Sequence, residues 1–139
     1  MIKLGRLTDY AVVVLAEMAG SQGALLAASS LSARTGLPEP TVAKILKLLA
    51  RSGLIDSVRG ASGGYVLNRS PDDIPVTEVI TAMEGPIALT ACADGNHESC
   101  SLSSLCGVHG RWGAVNVAIN AALQSVTLAQ MVRPLWGQP

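Results

Sequence analysis

The chain has no phenylalanine, and two tryptophans and two tyrosines bring aromatic residues to only 3% of 139. With 49% of residues apolar, any core must be aliphatic, and the dominant pattern is helical. Internal repeats and low-complexity tracts are absent, so the chain is one domain, or one small domain with an extension. A C-x-x-C pair and a glycine-rich nucleotide loop are both missing, which removes a thiol-redox catalyst or a nucleotide-using enzyme. The chain is therefore not expected to be an enzyme. An unbroken apolar span is lacking too. Trp112 to Val132 carries no charge and is long enough to cross a bilayer, but Asn116, Asn120, Gln124, Ser125, Thr127 and Gln130 interrupt it. At the start, Lys3 and Arg6 are followed by too short an apolar run before Glu17 for a cleavable signal. These absences predict a soluble cytoplasmic protein with no membrane contact.

What charge there is lies unevenly. Residues 1–69 hold eight cations against four anions, net +4, while residues 70–139 hold two against six, net −4. A cationic half points to a polyanion as its partner.

Within that half, Leu7, Ala11, Val14, Leu15 and Met18 form a helical stripe to about Ala19, with Thr8 expected as its N-cap. Leu25-Leu26-Ala27 suggests a short strand. Ser29 or Ser30 then starts a short helix through Thr35, and Gly36 stops it. Pro38 and Pro40 favour entry into the next helix, about Glu39 to Ser52. Its apolar face is Val42, Ile45, Leu46 and Leu49; its other face shows Thr41, Lys44, Lys47 and Arg51. Two short helices around a glycine turn, the second amphipathic and basic, are the helix-turn-helix pattern: cations meet phosphates and the first turn reaches base edges.

Leu54–Val58, a glycine-rich turn at 59–64 and Tyr65–Asn68 then read as a β-hairpin, the wing of a winged helix-turn-helix. Arg59 at its base is placed to enter a minor groove, and Ser62, Gly63 and Gly64 to pass close to a sugar–phosphate backbone. Residues 1–70 thus form a DNA-binding domain. A linking helix follows in 71–90, marked by Val76, Val79, Ile80 and Met83 and ended by Gly85-Pro86. Further on, Trp112, Val115, Ile119, Ala122 and Val126, with Val108 before them, alternate steps of three and four. That spacing predicts a dimerisation helix within 108–132, and Thr127 caps a last short helix, Leu128 to Val132, before Pro134. Paired winged helices would read a pseudo-palindromic operator in double-stranded DNA. The fold class is mainly α with a small β-hairpin wing.

All three cysteines lie in the remaining loop, 91–110, as C-x7-C-x5-C-x2-H: Cys92, Cys100, Cys106 and His109. An odd number of thiols does not make a closed disulfide framework. Soft donors in a flexible polar loop suit an iron–sulfur cluster, whose several iron atoms tolerate wide ligand spacing. A structural zinc on Cys3His, or a thiol–disulfide switch, is the alternative. Three thiolates leave a cluster in need of a fourth ligand, for which His109, His97 and Asp9 donated by a partner subunit are candidates.

Leu7-Thr8-Asp9-Tyr10-Ala11, Val58-Arg59-Gly60-Ala61-Ser62-Gly63-Gly64-Tyr65 in the wing, and the three cysteines before a long helix resemble the bacterial IscR, NsrR and RirA family of winged-helix iron–sulfur regulators. The resemblance covers nearly the whole chain. It implies a homodimeric transcription regulator, expected to be a repressor, that senses iron–sulfur status, iron, or redox and nitrosative stress. It also implies a cluster, 2Fe-2S or 4Fe-4S, on Cys92, Cys100 and Cys106, close to the DNA-binding domain of the other subunit. His109 matches the fourth ligand of the IscR type, and Asp9 that of the NsrR type. The first cysteine interval is longer than in the IscR type and more like RirA and the SUF-operon regulators. The start, Leu4 to Val12, is most similar to the SUF-operon group.

Overall fold

The computed structural model describes residues 2–21, 23–94, 100–102 and 104–132. Its first helix, α1 (Arg6–Gly20), buries Thr8, Ala11, Val14, Leu15 and Met18. These positions recur at three and four residues, so one face is apolar throughout. The helix begins two residues ahead of the expected Thr8 cap. Gly5 takes the N-cap place without a side-chain hydrogen bond. Thr8 instead lies inside the first turn, where its hydroxyl donates to Glu84 Oε2 at 2.6 Å.

The next helix, α2 (Ala28–Thr35), starts one or two residues before the predicted serine caps, with Ala27 as N-cap. The predicted strand at 25–27 shrinks to a single bridge, in which Leu26 and Tyr65 exchange backbone hydrogen bonds of 2.9 and 2.8 Å. Gly36 ends α2 in the left-handed conformation at φ 79°, which costs a residue without Cβ least. Side chains of α2 fix the turn that follows. Ser32 Oγ donates to the Leu37 carbonyl at 2.6 Å, and Leu37 N–H donates to Thr35 Oγ1 at 3.3 Å.

Helix α3 (Glu39–Arg51) keeps the predicted start, with Pro38 at the N-cap and Pro40 in its first turn. Val42, Ile45, Leu46 and Leu49 are wholly buried against α1, α2 and α4. At ~1.5–3 kcal/mol for each large aliphatic side chain, this face anchors the domain. Strands β1 (Ile55–Val58) and β2 (Gly64–Leu67) form the wing, paired antiparallel from Ile55↔Leu67 to Val58↔Gly64. Asn68 closes its base, with Nδ2 donating to the Gly53 carbonyl at 2.8 Å and to Asp56 Oδ1 at 3.2 Å.

A 3-10 turn at Pro71–Asp73 leads into α4 (Val76–Glu84), as the Val76, Val79, Ile80, Met83 spacing predicts. Beyond the cysteine segment come α5 (Trp112–Gln124) and α6 (Leu128–Val132). Val108 and Val126 both fall outside α5, so the expected single long seam is shorter than the sequence spacing suggests. The break at Ser125 has a cause: Val126 turns its carbonyl to Val76 N–H and Leu128 N–H bonds Ile74 O, each at 2.8 Å. That pairing folds the chain back and sets α6 against α1, with Leu128 fully buried. Thr127 does cap α6: its N–H donates to Gln130 Oε1 at 2.8 Å, and Gln130 N–H returns to Thr127 Oγ1 at 3.4 Å. His97 and Pro134 lie outside the described residues. No helix among the described residues is long and apolar enough to cross a membrane.

Candidate nucleic-acid interface and cysteine segment

Burial of the Val42–Leu49 face turns the opposite side of α3 to solvent. Lys44, Lys47 and Arg51 are exposed and Thr41, in the first turn, is half-buried. None of the three cations is paired with a carboxylate among the described residues, where the ion pair is Arg69 with Glu78. That hydrogen bond to Glu78 raises the Arg69 guanidinium above its ordinary value, and it takes Arg69 out of the cationic surface. Arg59 and Ser62, exposed in the turn of the wing, add a second donor-bearing edge. The resulting surface is a row of free cations on a rigid helix beside a hairpin, suited to tracking two phosphate backbones.

Gly63 and Gly64 are explained by the hairpin itself. A Cβ on Gly63 would sit 2.1 Å from the Val58 carbonyl oxygen, and one on Gly64 would sit 2.6 Å from that of Leu26. The wing closes and docks on the Leu26 bridge because nothing protrudes there. The space that lets DNA approach in the sequence reading is thus also required inside the hairpin.

The cysteine segment approaches along α5. Asn116 of α5 holds its approach, with Nδ2 donating to the Ile87 carbonyl at 2.9 Å and Oδ1 accepting Leu89 N–H at 3.0 Å. Cys92 follows in a 3-10 turn, Ala91–Asp94, that packs on α5. Its thiol lies 3.1 Å from the Thr90 hydroxyl. Cys92 and Cys100 are half-buried, Cys106 and His109 exposed, and no cysteine is in a disulfide. His109 N–H donates to the Cys106 carbonyl at 3.3 Å, so one turn carries both candidate donors. Asp9 is exposed on α1 and lines an open groove with Lys3, Leu4 and Arg6.

By donor chemistry the set fits an iron–sulfur cluster: three soft thiols outside any disulfide, with an imidazole and a carboxylate as further candidates. By position it is not yet gathered, for among the described residues no three His, Cys, Asp or Glu side chains converge as a metal site.

Helix α5 has no buried residue. Trp112 and Val115 of the predicted seam are 44% and 42% exposed, and Ala122 is exposed as well. Ile119 instead lines an apolar cavity of about 360 Å³ with Ile2, Leu4, Ile80, Leu89 and Leu123. The solvent-facing side is rich in alanine, at Ala114, Ala118 and Ala121, with Val117 68% exposed beside it. Asn116, Gln124 and Glu84 act as anchors that local sequence pattern does not single out. An amide every fourth residue in an otherwise apolar helix hints at the first two.

Residues 4–134 match the Rrf2 family, described as iron-dependent transcriptional regulators. The regulator IscR of Serratia proteamaculans is 32% identical over 124 residues, 88% of this chain and 74% of its own. Among solved structures, T. potens IscR is 31% identical with a TM-score of 0.65, covering 94% of this chain and 86% of that one. CymR, the global cysteine regulator of B. subtilis, is 27% identical with a TM-score of 0.72, covering 95% and 97%.

Proposed function

The chain belongs to the Rrf2 family of transcriptional regulators, and on that footing we propose that it acts as a homodimeric repressor that senses iron–sulfur status. Its targets are genes of iron–sulfur assembly or iron homeostasis. The observation that carries the DNA-binding part is the free row Lys44, Lys47 and Arg51, exposed on α3 opposite a fully buried face. With α3 in a major groove, those cations meet phosphates, Thr41 reaches a base edge and Arg59 enters the neighbouring minor groove. The uncovered alanine-rich side of α5 supports pairing with a second copy, since small residues let two helices approach closely. Two winged helices related by that axis then span two half-sites.

Cys92, Cys100 and Cys106 would hold the cluster, with His109 or the partner subunit's Asp9 as the fourth ligand. When bound, a cluster held by three thiolates supplies occupancy that responds to iron supply, oxidant and nitric oxide. The protein's own part is to gather the cysteine segment in one state and release it in the other, which changes DNA affinity by the difference in ligand binding between the two.

The deciding experiment is reconstitution with iron and sulfide without oxygen, followed by DNA binding on duplexes selected from random sequence. Visible absorbance with a change in DNA affinity supports the proposal; a colourless protein with unchanged affinity defeats it. A second reading, a thiol switch or zinc site on the same cysteines, draws on the exposure of Cys106 and the ungathered ligand set. Stoichiometric zinc, or a disulfide formed on mild oxidation with altered DNA affinity, would favour it instead.

A further inference from the structure

Helix α5 is held very differently at its two ends. At the C-terminal end Gln124 accepts from the buried Thr77 hydroxyl of α4. Just beyond it, the pairings of Val126 with Val76 and of Leu128 with Ile74 fasten the chain to the core. Toward the N-terminal end Trp112 and Val115 are exposed, and no side chain of α5 is buried. Among the hydrogen bonds there are those of Asn116, which grips the backbone on both sides of Ala88 with its two amide atoms, beside the packing of the Ala91–Asp94 turn on α5. Eight residues, about 12 Å of helix, separate Asn116 from Gln124. The helix is a lever, pinned at one end and held at the other by the segment that leads into Cys92.

We propose that Asn116 is the positioning residue that couples the cysteine segment to α5, so that gathering or releasing the cysteines re-aims the helix that pairs the two subunits. Resting on the sensing reading above, this names how the signal leaves the segment. Both bonds are to backbone, so the coupling follows the path of residues 87–89 and not their side chains. Each net hydrogen bond is modest and exchangeable with water, which lets the clamp be remade in a second position.

Full-length Asn116→Ala, Asn116→Asp and Gln124→Ala test it, with two readouts. The first, on metal-free protein, is the alkylation rate of Cys92 by iodoacetamide, followed by peptide mass. Asn116→Ala should raise it about fivefold or more, the factor expected for a lost hydrogen bond. Asn116→Asp, which keeps the acceptor for Leu89 but sets a carboxylate oxygen against the Ile87 carbonyl in place of a donor, should raise it at least as much. The second is the ratio of DNA affinities with and without reconstituted cluster. It should collapse toward one in Asn116→Ala and keep its wild-type value in Gln124→Ala, whose bond runs to α4.

An unchanged ratio in Asn116→Ala would overturn the coupling role, and so would an equal collapse in Gln124→Ala, which would mean that any loosening of α5 suffices. Should the wild-type ratio itself be one, the sensing reading fails. The clamp is then judged on Cys92 alone, and an unchanged alkylation rate in Asn116→Ala ends it as well.

Discussion

The Thr8 hydroxyl in the first turn of α1 donates to Glu84 Oε2 at the end of α4, 2.6 Å away and 76 residues later in the chain. Gly5 N–H reaches the same oxygen at 3.4 Å, so one carboxylate from outside the helix does part of the work of an N-cap. Thr8→Val keeps the shape and removes the donor. A lost hydrogen bond to a charged partner costs about 1.5–3 kcal/mol, which lowers the melting temperature by roughly 4–9 °C in a chain of this size. Thermal unfolding followed by circular dichroism measures it, and a valine variant as stable as wild type would show that the bond adds nothing.

Gly63→Ala places a methyl group 2.1 Å from the Val58 carbonyl, so the hairpin must open or shift. Overpacking of this kind costs about 1–3 kcal/mol. Urea unfolding should show the lowered midpoint, and DNA affinity should fall while helix content holds. A midpoint within error of wild type would mean that the wing relaxes freely.

Lys44→Ala should weaken binding to every DNA sequence alike and reduce the slope of log K against log salt by about one. Arg69→Ala is the matched control, because its guanidinium is already paired with Glu78. Titrations at several salt concentrations separate the two. Equal slopes for Lys44→Ala and wild type would take Lys44 out of the interface.

The fourth ligand of the proposed cluster is open to a direct comparison. His109→Ala and Asp9→Ala should differ in how fast a reconstituted cluster bleaches in air, the faster mutant marking the ligand. Single changes of Cys92, Cys100 or Cys106 to Ala should each abolish the visible absorbance. Colour retained in any one of them would remove that cysteine from the set.

Val117→Glu puts a charge on the alanine-rich exposed side of α5 proposed to pair. An unpaired charge in a closed interface costs on the order of 3 kcal/mol, roughly a hundredfold in dimer affinity. Sedimentation equilibrium should then find monomer at concentrations where the wild-type chain is dimeric. An unaltered dimer would place the interface elsewhere.

The parts legible in the sequence are those whose pattern is local. Val42, Ile45, Leu46 and Leu49 predict the buried face of α3 because helical spacing alone decides it, and Pro38, Pro40 and Gly36 mark its boundaries. The wing was readable from two short runs around glycines, and α4 from a single apolar stripe. What escaped the sequence depends on partners far along the chain. Thr8 is a good cap by type, but Glu84 was nearer to hand. The seam through Val126 ended early because that residue's carbonyl is taken by Val76. The cysteines stand out as candidate donors by residue type, while the hydrogen bonds of Asn116 and the turn at Ala91–Asp94 that shape the approach to Cys92 are not encoded in their spacing.

Two glycines in the wing already answer to Val58 and Leu26, and Gly60 holds φ 116°, which leaves Arg59, Ala61 and Ser62 as the turn positions with room to change. Descendants of this protein that acquire new promoters would therefore diverge at those sites and along the outer side of α3. The backbone beneath them stays fixed, and recognition drifts on an unmoving frame.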